Sequence, residues 1–128
     1  MNTTQTKPTS KNIIKGKSGE KRAARYLKSC GFVILHKNYK TNLGEIDIIA
    51  HDKNTLVFVE VKTRSSAQYG TPAESVTLFK QRKITQVAAQ FLAKHQIHDA
   101  FMRFDVVEVY ADNQIEHIEN AFDSYLNY

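Results

Sequence analysis

Apolar residues along this chain recur with two different periods, and the switches between them outline the elements. Apart from Met1, residues 1–15 offer only the apolar pair Ile13 and Ile14 among polar and basic neighbours, which predicts a disordered tail. From Gly16 the spacing of Ala23, Tyr26, Leu27 and Cys30 predicts a helix to about Ser29, with Ser18 as N-cap, Cys30 on the buried stripe and Gly31 as the stop. Three strand-like runs follow: 32–36, ending near Asn38; 45–50; and 56–62. The short polar link Asp52-Lys53-Asn54 predicts that the second and third form an antiparallel hairpin. Residues 65–70 read as a loop. A second helix is expected between about Thr77 and Lys94, with Phe79, Ile84, Val87, Ala88, Phe91 and Leu92 on its apolar face. It starts either at the capping box Thr71-Pro72-Ala73-Glu74 or at a Thr77 cap. Residues 101–110 predict a fourth strand, and 115–118 an edge strand after a turn at Asn113. The order αβββαββ predicts an α/β (α+β) protein, a mixed central sheet flanked by helices.

Length places 16–128 in one domain behind the 1–15 tail, large enough for a core. No apolar run is long enough to span a bilayer, and the amino terminus lacks the apolar stretch of a signal peptide. A single cysteine excludes an internal disulfide, so a reducing, cytoplasmic location is expected. The net charge of +5 is unevenly spread: residues 1–40 carry ten Lys or Arg against one acid, and from Asp99 onward seven acids face one base. A basic first third suits a polyanion such as nucleic acid, and equally a solvated tail and helix face.

The chemistry lies in the second and third strands. Alternation puts Phe58, Glu60 and Lys62 on one face of the third strand, opposite Val57, Val59 and Val61. In the second, Ile46 and Ile48 share a face, with Glu45, Asp47 and Ile49 on the other. Carboxylates and an ammonium in such apolar strands are costly to desolvate unless paired or bound. A hairpin brings Asp47 towards Glu60 and Lys62, and two converging carboxylates are relieved by a divalent cation. Mg²⁺ or Mn²⁺ held by Asp47, Glu60 and the backbone carbonyl of Val61 suits phosphodiester hydrolysis, with Lys62 positioning or deprotonating water, or neutralising charge. The structural alternative is an ion pair, Glu60–Lys62 or Asp47–Lys62, that serves the fold alone.

The ordered motifs Gly16-x-x-Gly19-Glu20-x-x-Ala23, Gly44-Glu45-Ile46-Asp47, Phe58-Val59-Glu60-Val61-Lys62-Thr63-Arg64, Gly70-x-Pro72-x-Glu74-x-Val76 and Lys80 resemble the bacterial YraN-like family of presumed endonucleases. The resemblance covers roughly 16–110. That family is similar in fold to the restriction-endonuclease-like PD-(D/E)xK nucleases, and most closely to archaeal Holliday-junction resolvases. The resemblance implies that Asp47, Glu60 and Lys62 occupy catalytic positions and that Glu20 adds an acid near the metal. The chain departs from the pattern in having Ile46, not proline, before Asp47. DNA is the implied partner, with a homodimer expected of resolvase-like enzymes because a junction presents two equivalent strands.

Other residues carry two readings each. Glu20 also suits a helix N-terminus. Arg64, Lys80, Arg82 and Lys83 can hold DNA phosphates or lie on an ordinary surface. Tyr69 can stack on a base or pack. Glu45 reads as a surface or supporting acid, Asp105 as a hydrogen-bonded structural acid, and His95 and His98 as exposed rather than ligating. Three functions compete: a structure- or end-selective DNA endonuclease, a non-catalytic nucleic-acid-binding accessory, and a protein-interaction module.

Overall fold

A computed structural model describes the backbone over residues 10–65 and 76–123, with side chains from Ser18 onward within those ranges. The elements are α1 (Ser10–Ser29), β1 (Val33–Thr41), β2 (Gly44–Asp52), β3 (Thr55–Arg64), α2 (Leu78–Lys94), β4 (Phe101–Tyr110) and β5 (Ile115–Phe122). This is the expected αβββαββ order, and no helix among the described residues is long and apolar enough to cross a membrane.

The five strands form one sheet in sequence order, antiparallel throughout except for β3 and β4, which run parallel. A parallel pair needs a crossover, and α2 supplies it. The predicted hairpin is present, with Asp52 opposite Thr55. Two apolar clusters lie on the two sides of the sheet. On one, Ala23, Ala24 and Leu27 of α1 pack on Ile48, Ala50, Val57, Val59, Val107 and Val109. On the other, Ile84, Val87, Ala88 and Phe91 of α2 pack on Ile46, Ile49, Phe58, Phe104 and Val106.

Several boundaries and contacts differ from the sequence reading. Helix α1 begins at Ser10, so Ser18 lies within it and is not its cap. A glycine such as Gly16 inside a helix costs only about 1 kcal/mol, which is too little to enforce a break. The helix therefore takes in residues 10–15 of the expected tail; residues 1–9 lie outside the described residues. Gly31 does stop it: at φ +94° it lets the Phe32 N–H reach the Leu27 carbonyl at 3.0 Å and its own N–H reach Lys28 at 3.0 Å. Cys30, past the last helical turn, is exposed and not core. The edge strands run longer than their apolar cores. Strand β1 continues through Lys37–Thr41 because that polar stretch still pairs with β2. Thr77 caps α2, its side chain accepting from the Lys80 N–H at 3.2 Å. The loop residues 66–70, with Tyr69, and the motif and capping-box residues 70–75 lie outside the described residues.

Ile46 and Ile48 do not share a face: Ile46 joins the α2 side with Ile49, and Ile48 joins the α1 side. Strict alternation is broken between them, at Asp47. The pairings Lys37–Ile48 and Tyr39–Ile46 place Asp47 opposite Asn38, which adopts the left-handed φ of +53°. Strand β2 pairs with β3 only as far as Ile48–Val59. The chain therefore twists at Asp47, and β2 parts from β3 there.

Candidate active site

The fork between β2 and β3 is filled by side chains. Where the ladder would continue, the Val61 N–H donates to the Asp47 carboxylate at 2.8 Å, so Asp47 takes the place of a backbone partner. This anchors Asp47 beside Glu60, which points to the α2 side and is 6% exposed. The two carboxyls interact directly, an arrangement that favours the proton on Glu60 over Asp47. Burial, followed by the Asp47 charge, pushes the Glu60 pKa up to about 7, against the pull of Lys80 and Lys62. Burial, the strongest influence on Asp47 as well, raises its pKa despite the hydrogen bonds from Val61 and Glu60.

Two ammonium groups flank the pair on one carboxylate oxygen. Lys62 Nζ lies 3.6 Å from Glu60 Oε2, and Lys80 Nζ, from the first turn of α2, lies 3.7 Å from the same atom. Both lysines keep solvent access, with side chains 30% and 42% exposed. Glu20 approaches from α1: its pKa is raised by burial first and then by the Asp47 charge, while Asn38 donates a hydrogen bond to it. Its position is set by a close approach of α1 to β3, where a Cβ on Gly19 would lie 2.5 Å from Thr63 Oγ1.

The predicted trio Asp47, Glu60 and Lys62 thus converges, and Glu20 lies within electrostatic reach. Among the described residues no three His, Cys, Asp or Glu side chains stand close enough together to hold a metal ion. The donor set is therefore the Asp47–Glu60 pair. Its chemistry fits a hard divalent cation that keeps several waters, because the repulsion between two converging carboxylates is relieved when a cation binds. Lys80 was read as a phosphate contact, and its pairing with Glu60 was missed. The only signal for it was the family pattern, since no spacing rule links residues 60 and 80.

The other basic residues divide. Arg64 Nε donates to Glu108 at 2.9 Å, and Tyr110 Oη donates to the other oxygen of that carboxyl at 3.0 Å. Lys83 Nζ lies 5.5 Å from the centre of the Phe79 ring, and Arg82 is exposed. Glu45 is exposed, as are His95 and His98. Asp105 is the structural acid expected of it: fully buried, it accepts from Arg103, His117 and the Asn120 N–H at 2.9, 2.8 and 2.9 Å. Burial alone would raise its pKa, yet those hydrogen bonds outweigh burial and hold it below the usual range.

Comparison with known proteins agrees with the motif reading at the level of family. The profile described as "Uncharacterised protein family UPF0102" matches residues 19–109, which include Glu20, Asp47, Glu60, Lys62 and Lys80. A UPF0102 protein of Caldicellulosiruptor saccharolyticus is 47% identical over 112 residues, covering 84% of this chain and 95% of its own length. One from Clostridium botulinum is 49% identical over 113 residues, covering 84% and 92%. One from Desulfosudis oleivorans is 52% identical over 112 residues, covering 87% and 91%. None of these names states an activity. With the profile spanning most of the chain and such relatives matched along nearly their full length, this chain belongs to the uncharacterised protein family UPF0102.

Proposed function

We propose that the chain is a divalent-metal-dependent endonuclease that hydrolyses phosphodiester bonds of DNA, with branched or otherwise structured DNA in repair or recombination as the substrate class. The observation that carries this reading is the Asp47–Glu60 pair, a half-buried and a buried carboxyl brought together at a strand fork, Asp47 fixed by the Val61 N–H, with two solvent-accessible lysines beside them. An isolated structural ion pair needs one acid and one base. This cluster instead gathers two carboxyls and two lysines, and burial, ahead of the mutual repulsion of the acids, raises the pKa of both carboxyls, a common property of functional sites.

Asp47 and Glu60, with the Val61 carbonyl, would hold Mg²⁺ or Mn²⁺. Bound there, the cation would supply Lewis-acid polarisation of a phosphate oxygen and a water made nucleophilic near neutral pH. The remaining roles belong to the chain. The Val61 N–H fixes the orientation of Asp47, so the ligand needs little reorganisation. Lys62, held against Glu60, is placed to orient the attacking water and to offset charge on the pentacovalent phosphate. Lys80 stands opposite it as a second cation for the same phosphate. Glu20 provides an acceptor for a water on the α1 side. Arg82 and Lys83 extend along α2 as contacts for flanking phosphates.

The test is cleavage of four-way, flapped, single-stranded and duplex DNA by the purified protein with Mg²⁺ or Mn²⁺, next to Asp47→Asn and Lys62→Ala. Cleavage by the wild type alone, abolished by chelator, is expected. Cleavage that persists in Asp47→Asn would assign the activity to a contaminant. Salt-sensitive DNA binding without cleavage by any of the three proteins would replace this reading with that of a non-catalytic accessory.

A further inference from the structure

We propose that a depression on the α1 face, away from the carboxylate pair, holds a backbone phosphate of the bound nucleic acid between Arg22 and Arg25. The inference rests on the reading above only in taking the ligand to be nucleic acid.

The depression has a volume of about 320 Å³ and is lined by Arg22, Arg25, Tyr26, Ser29, Asn113 and Ile115. That size lies within the range of ordinary ligand pockets. Three observations point to an anion. First, Arg22 Nη2 is buried and has no hydrogen-bond partner. A guanidinium nitrogen removed from water without an acceptor is costly, and a bound oxyanion would relieve it. Second, among the described residues neither Arg22 nor Arg25 forms an ion pair. Asp105 and Glu119, whose charges act on Tyr26, are both engaged by Arg103, at 2.9 and 3.8 Å, while Asp112 and Glu116 flank the lining residues Asn113 and Ile115 without an ion pair to either arginine. Third, the frame is rigid. The Tyr26 hydroxyl is 3.2 Å from His117 Nδ1, and His117 Nε2 is 2.8 Å from the fully buried Asp105. This chain of bonds ties α1 to β5 and β4, so the two arginines project from a fixed helix.

The location suits a strand that also visits the carboxylate pair. Gly19 of α1 abuts Thr63, Thr63 pairs with Val109, and Val109 pairs with Ile115 in the lining. Two strand spacings separate Thr63 from the depression, roughly 10 Å. Lys80 and the depression lie on opposite sides of the sheet. Nucleic acid touching both would pass round the sheet, and the end where β2 and β3 part is the route that includes the carboxylate pair.

The experiment measures binding of fluorescein-labelled duplex and four-way-junction DNA to the full chain in chelator, by anisotropy across a series of KCl concentrations. Wild type is compared with Arg22→Gln, Arg25→Gln, the double variant and Arg25→Lys. The double variant should bind about tenfold more weakly and lose about 1 from the slope of log affinity against log salt, as expected for one released phosphate contact. Arg25→Lys should keep the slope. Should the double variant fail to fold, Arg25→Gln, at an exposed position, carries the same comparison. Wild-type affinity and slope in the arginine variants would overturn the proposal; if wild type also cleaves DNA in Mg²⁺, the nuclease reading survives. Arginine-dependent, salt-sensitive binding without any cleavage would support the pocket while removing the nuclease. Absence of DNA binding by the wild type would remove both. A rise in melting temperature with millimolar inorganic phosphate, lost in the double variant while DNA binding is unchanged, would overturn the assignment to nucleic acid.

Discussion

At the scale of residues, the informative feature is the convergence of two carboxyls, one of them buried. Glu60 has its pKa raised in the folded protein to about 7, from an ordinary value of 4.5. Between those values the folded chain binds more protons than the unfolded one, so without a divalent cation Glu60 makes stability fall as pH rises from about 4.5 through 7. Glu60→Gln should remove that dependence and stabilise the metal-free protein at pH 8 by roughly 1–3 kcal/mol, read from urea unfolding at a series of pH values in chelator. A variant as pH-sensitive as the wild type would show that Glu60 is ionised in the fold throughout. The convergence of Asp47, Glu60 and Lys62 was legible because the three-residue link sets the hairpin and alternation puts Glu60 and Lys62 on one face of β3, although alternation itself breaks at Asp47. Glu20 was legible only through the family pattern, since nothing local ties a helix residue to a strand fork. The Arg64–Glu108 pair was not legible: it depends on the parallel register of β4 against β3, which no local signal encodes.

At the scale of elements, existence and order followed from periodicity, whereas the ends did not. Strand β1 runs on through polar residues because its neighbour supplies hydrogen bonds, and α1 runs back through Gly16 because one poor helix former is affordable. The exchange of faces between Ile46 and Ile48 was hidden for a related reason. It coincides with the left-handed Asn38 across the ladder, on a different strand. The contact that fixes α1 against β3 is the absence of a side chain at Gly19. Gly19→Ala would place a methyl 2.5 Å from Thr63 Oγ1, so the Thr63 side chain must turn or the two elements must move apart. A loss of about 1–3 kcal/mol in thermal or urea unfolding is expected, of the size found for overpacked cores. Thr63→Ala in the same chain should restore part of it, and failure to do so would locate the strain elsewhere.

At the scale of the whole molecule, β3 is the central strand, and both its edges matter. One edge pairs with β2 from Thr55 to Val59, and the other pairs with β4 along the whole of Thr55–Arg64. A fragment ending at Lys94 would contain Glu20, Asp47, Glu60, Lys62 and Lys80, yet β3 would be a bare edge there, with Val57 and Val59 stripped of Val107 and Val109. Such an edge templates aggregation. The fragment is expected to sediment as aggregates and to show no Mg²⁺-linked proton release in calorimetry. A monomeric fragment with wild-type proton release would show that β4 is dispensable. Because β4 enters only after a long crossover, it also enters late during synthesis. On the nuclease reading proposed above, every ligand of the centre is synthesised before the strand that covers β3, which would hold back cleavage of nucleic acid near the ribosome until β4 emerges.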